Sequence, residues 1–145
     1  MNDKADRVDF PGGCRLIRLP EIKDERGSLT FLQGSGAIPF PVERVFWIWG
    51  VPTGQSRGAH AHRTCAEVVF PLKGSFTMHV DDGRAQADIL MDTPTCGILI
   101  PPGVWCHLTE FQEGTVCLAV ASQPYMAEGY INKHEDYLKE VNGKQ

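Results

Sequence analysis

Residues 54–74 read GQSRGAHAHRTCAEVVFPLKG. Within this stretch His60 and His62 stand one residue apart, and Glu67 follows five residues after His62. In an extended strand, residues i and i+2 share a face, so the two imidazoles project together while Ala61 points away. Glu67 joins them only if the chain bends or crosses to a paired position. Two imidazoles and a carboxylate suit two chemistries: holding a divalent ion or moving protons near neutral pH. Pro71, inside the apolar run AEVVFPL, predicts an edge strand or a bulge.

Outward from this stretch, turn residues punctuate the chain, with 15 Gly and 10 Pro. Between them lie short runs rich in β-branched and aromatic residues: RVFWIWGV, AEVVFPL, SFTMHVDD, CGILIPP and GTVCLAVAS. These read as strands. In SFTMHV, Phe76, Met78 and Val80 alternate with Ser75, Thr77 and His79, which gives one apolar face. Asp82-Gly83 predicts the hairpin turn that follows. Short strands at this spacing suggest a β-sandwich or small barrel. Only INKHEDYLKEVNG near the C-terminus reads as a helix, with Gly143 to end it. No repeat, low-complexity tract or linker interrupts the pattern.

Composition narrows the function classes. The 145 residues fit one domain that can bury a core without disulfide staples. A formal net charge of −4 argues against a nucleic-acid backbone as the main partner. Five cysteines, an odd number with no CxxC pair, predict reduced thiols and a cytoplasmic protein. No apolar run approaches the ~20 residues a membrane helix needs, and MNDKADRVDF has no signal-peptide core.

The spacing of Gly54, His60, His62, Glu67 and Gly74 resembles the first motif of the cupins, and Pro101-Pro102-Gly103 resembles the turn of the second. The resemblance implies an all-β jelly roll, the double-stranded β-helix, with a short C-terminal helix. One cupin domain would span residues 1–145, with 1–14 as an N-terminal extension and 130–145 as the C-terminal helix and tail. Many cupins bind a metal through two histidines, a glutamate and a histidine three residues after the second-motif glycine. That last position is Cys106 here, so a metal-bound form would use His60, His62, Glu67 and Cys106.

A narrower resemblance rests on DERGSLTF, IPFPVERVFWIWGVP, RGAHAHR, GSFTMHVDDG, IPPGVW and YINKHEDYLK, which occur in this order. The chain is similar to the nucleotide-sugar 3,4-ketoisomerases, cupins related to the WxcM C-terminal domain. The resemblance implies a homodimer, without metal or other cofactor, that moves a ketone from C4 to C3 of a TDP-linked 4-keto-6-deoxy sugar in deoxysugar and surface-glycan biosynthesis. It implies His60 and His62 as the catalytic pair. We expect His62 as the base at C3 and His60 as a shuttle or polariser, an order open to reversal.

Arg57 is expected at a phosphate or oxyanion, against the alternative of a surface ion pair. Arg26 is a second candidate for the diphosphate, against a plain turn made by Asp24 and Gly27. Trp47 and Trp49 share a face and suit stacking on thymine or sugar, as does Trp105; core packing is the other reading. Glu67 can orient a histidine or hold a metal. Alternatives to the isomerase are a metal-dependent cupin enzyme, a sugar-nucleotide 3,5-epimerase and a non-catalytic sugar-nucleotide binder.

Overall fold

The computed structural model describes residues 10–33 and 36–143. The apolar runs form strands: β1 (Arg15–Arg18), β2 (Ile22–Asp24), β3 (Gly27–Leu29), β4 (Arg44–Trp49), β5 (Arg57–His62) and β6 (Glu67–Lys73). Then come β7 (Phe76–Asp81), β8 (Gln86–Met91), β9 (Cys96–Ile100), β10 (Trp105–Thr109), β11 (Val116–Ala121) and β12 (Tyr130–Ile131), before helix α1 (His134–Gly143). They build two five-stranded sheets, in the orders β1-β9-β6-β11-β4 and β12-β5-β10-β7-β8, plus a β2-β3 ribbon. Every pairing is antiparallel. The jelly-roll expectation is met.

Alternation decides which residues enter the core. Phe76, Met78 and Val80 are 0% exposed and meet Val69, Ile98, Cys117 and Ala119 of the facing sheet. Burying each large apolar side chain contributes about 1.5–3 kcal/mol. The outer faces of both sheets are also partly covered. Leu32, Ile38 and Phe40 pack over Ile17, Val68, Phe70, Leu99 and Val120. On the other side Ile131 and the α1 residue Tyr137 cover Ala61 and Trp105.

At both ends of the chain residues join the sheets, and Pro71 takes the second of its two expected settings. Residues 10–14 belong to the fold: Cys14 is 2% exposed and Phe10 packs on the main core. The rest of the expected 1–14 extension lies outside the described residues. The expected C-terminal helix segment begins with a strand, because Tyr130 and Ile131 pair with His62 and Ala61; Lys144 and Gln145 lie outside the described residues. Pro71 sits in a strand flanked by β9 and β11, not at an edge. Its accommodation is a bulge: Cys117 pairs with Pro71 and Val116 with Lys73, so Leu72 is the extra residue.

Candidate active site

A second bulge aims the motif. On β5, His60 pairs with Cys106 and Arg57 with Leu108, so Gly58 and Ala59 together face the single residue His107. Gly58 takes φ 70°, which favours glycine, and a Cβ there would come within 3.2 Å of Leu108. The extra residue returns Arg57 to the face of Leu108, the face that also carries His60. Arg57 is exposed there, with no hydrogen-bond or ion-pair partner among the described residues.

Glu67 reaches the histidines across the sandwich. β5 lies in one sheet and β6 in the other, and the corner between them swings Glu67 to face His62. His62 Nε2 lies 2.7 Å from Glu67 Oε1. The two are 4% and 5% exposed. The two are close but no aligned hydrogen bond joins them, since Nε2 lacks an acceptor among the described residues. Arg44, on the inner face of β4, stands 3.7 Å from the same carboxylate oxygen. Its Nη1 donates to the Tyr130 hydroxyl at 3.2 Å, while its Nε is buried without a partner among the described residues.

Tyr130, the register partner of His62, closes the cluster. Its ring centre lies 5.0 Å from that of His60 and 4.4 Å from that of His62, and the two imidazoles are 4.7 Å apart, edge to face. Burial pushes the His60 pKa down to about 4; the neighbouring His62 and Arg44 push the same way, and Glu67 only partly offsets them. His60 is therefore an uncharged base at neutral pH. It borders an interior cavity of about 30 Å³, walled by Phe46, Ile48, Met78 and Leu108. That space holds about one or two waters. A space of this size does not admit a six-membered ring.

The sequence-derived candidates divide. His60, His62 and Glu67 come together, and Arg57 shares their face. Trp47 and Trp49 do not reach this cavity: alternation along β4 turns Arg44, Phe46 and Ile48 inward and leaves the indoles 57% and 68% exposed on the outer face. Trp105 is also on an outer face, buried beneath α1 against Tyr137 and His134, so core packing is its role. Arg26 lies in the β2-β3 turn, its guanidinium 2.6 Å from Asp24. Arg44 and Tyr130 were missed. Arg44 is the one cation in the run RVFWIW and carried a signal; Tyr130 is identified only by its pairing with His62.

The donor atoms of His60, His62 and Glu67 lie within 4.8 Å of one another, a set that fits a divalent ion. Such an ion would act as a Lewis acid toward a carbonyl oxygen. Cys106 is not part of that set: it is fully buried in the cavity wall, and burial raises its thiol pKa strongly, which opposes the thiolate a metal needs.

Residues 12–142 match the family described as FdtA: WxcM-like, C-terminal. The chain belongs to this WxcM-like family. A family relative from Aneurinibacillus thermoaerophilus, a TDP-4-oxo-6-deoxy-alpha-D-glucose-3,4-oxoisomerase, is 32% identical over 127 residues, 88% of this chain and 91% of its own. Among solved structures, the 3,4-ketoisomerase QdtA from Thermoanaerobacterium thermosaccharolyticum, in complex with TDP, superposes with a TM-score of 0.89 at 31% identity, covering 92% of this chain and 98% of its own. The WlaRB TDP-quinovose 3,4-ketoisomerase from Campylobacter jejuni gives 0.84 at 31% identity, with 88% and 98% covered. These matches cover 88–92% of the chain.

Proposed function

We propose that this chain is a 3,4-ketoisomerase of a TDP-linked 4-keto-6-deoxy sugar. The observation that carries the reading is the uncharged His60 beside the buried His62–Glu67 pair, in a chain whose near-full-length relatives bear that activity. His60 takes the proton from C3, which the C4 carbonyl acidifies. The electron pair becomes the C3–C4 double bond of an enediolate, and the C4 oxygen takes up negative charge. His62, beside Glu67, and Arg44, whose Nε is unpartnered among the described residues, are the donors assigned to that oxygen. The C3 hydroxyl proton then passes to the C4 oxygen as the C3 carbonyl forms, and C4 takes up a proton in place of the one His60 removed. The exchange is internal, so no redox cofactor enters. The lower exposure of His62 and its engagement with Glu67 favour His60 as the base, the reverse of the order the sequence suggested. Arg57, free on the same face, is proposed at the diphosphate.

The family's homodimer also belongs to this reading. Among the described residues β4 ends its sheet, which leaves a row of backbone groups without a strand partner there, beside exposed Val45, Trp47 and Trp49. An open edge with an apolar face suits antiparallel pairing with a second copy. Incubation with TDP-4-keto-6-deoxyglucose in deuterium oxide, followed by NMR, tests the activity. We expect a 3-keto product, and a rate ~10²–10⁴-fold lower in His60→Asn. No product and no deuterium at C3 or C4 would refute the assignment; exchange at C3 and C5 would indicate an epimerase.

A further inference from the structure

The sheet that carries His60 on its inner face carries a second histidine cluster on its outer face. His107 of β10 pairs directly with His79 of β7, and His79 pairs directly with Asp88 of β8. The three side chains therefore form a row across adjacent strands. Alternation turns all three away from the cavity, since Cys106 and Leu108, on either side of His107, line it. The row opens onto a surface depression of about 370 Å³, bordered also by His134, Asp81 and Trp105.

The local geometry is that of a half-built metal centre. The imidazoles of His79 and His107 are 4.6 Å apart at their centres, with planes 32° apart. With Zn–N bonds of about 2.0–2.1 Å, two rings on one ion have centres roughly 4.5–5 Å apart. His79 Nδ1 lies 2.7 Å from Asp88 Oδ1, which leaves Nε2 without a hydrogen-bond partner among the described residues. A carboxylate on one ring nitrogen is the arrangement that orients a ligating histidine and raises its basicity. His107 has no hydrogen-bond or ion-pair partner among the described residues, so neither of its ring nitrogens is taken. A second pair of the same kind, His134 Nε2 to Asp81 Oδ2 at 2.8 Å, stands at the rim.

We infer that His79 and His107, with Asp88 orienting His79, form a binding site for a borderline divalent cation such as Zn²⁺. Imidazole donors select Zn²⁺, Ni²⁺ or Cu²⁺ over Mg²⁺ and Ca²⁺. Water completes the coordination. The site is separate from the proposed catalytic centre, and it stands or falls independently of the ketoisomerase reading.

The test is isothermal titration with ZnCl₂ of chelator-treated, tag-free protein. The full chain carrying His60→Asn and His62→Asn removes the inner donors. We expect this variant to bind one Zn²⁺ per chain and no Mg²⁺, and His107→Ala on the same background to weaken Zn²⁺ at least tenfold. No Zn²⁺ uptake by the inner-pair variant, or uptake that His79→Ala and His107→Ala both leave unchanged, would overturn the site. If the double variant does not fold, the comparison moves to the wild-type inner pair. There His107→Ala must lower the Zn²⁺ stoichiometry by one, and an unchanged stoichiometry refutes the proposal.

Discussion

At the scale of single residues, His60 shows how burial sets chemistry. An exposed histidine titrates near 6.5, whereas His60 is displaced to about 4. Between those values the unfolded chain binds a proton that the folded chain does not, so His60 makes stability fall as the pH drops through this window. The same displacement keeps the proposed base uncharged in mildly acidic solution. We expect the acid limb of kcat/KM assigned to His60 to lie well below pH 6.5, approaching 4 where the fold persists. A pH–rate profile checks this, and an acid limb centred at 6.5 that vanishes in His60→Asn would contradict it. The pairing of His60 and His62 was legible in the sequence because strand periodicity alone fixes it. The Glu67 contact was not, because it spans two sheets and no local spacing encodes which strand lies opposite.

At the scale of elements, the second motif turn is fastened to the first motif. The Gly103 amide donates to the His62 carbonyl at 2.7 Å, and the Gly103 carbonyl accepts from the Tyr137 hydroxyl at 2.7 Å. That hydroxyl also lies 3.0 Å from the Asp81 carbonyl. Helix α1 thus supports the backbone of His62 from the far side of the sheet. Tyr137→Phe leaves buried carbonyls short of a donor, and we expect a loss of about 1–3 kcal/mol, read as a lower midpoint in urea denaturation with an unchanged slope. The strands were legible as alternating runs, and β7 is oriented as its pattern implied. β4 shows the limit of that reading. Its alternation was correct, but both of its faces are apolar, so hydropathy did not reveal that Phe46 and Ile48 face inward while Trp47 and Trp49 face out. Arg44 escaped notice for the same reason: a cation on the inner face gains meaning only from the carboxylate it meets.

At the scale of the whole molecule, the exposed indoles become the prediction. A sheet edge flanked by Val45, Trp47 and Trp49 is costly to leave in water, since each aromatic can bury about 150–250 Å². We expect sedimentation velocity to give a dimer at micromolar concentration, and a Trp47→Ser, Trp49→Ser chain to sediment as a monomer. A monomeric wild-type chain would refute this use of β4. The order of strands has a kinetic consequence. β1 pairs with β9, β5 with β10 and β4 with β11, so nearly every ladder joins distant parts of the chain. Such topologies fold in milliseconds to seconds, because loop closure must precede the reward. The proposed catalytic cluster draws on β4, β5, β6 and β12. It is therefore assembled only when the last strand docks, and a ribosome-bound chain still lacking Tyr130 carries the histidines without their setting.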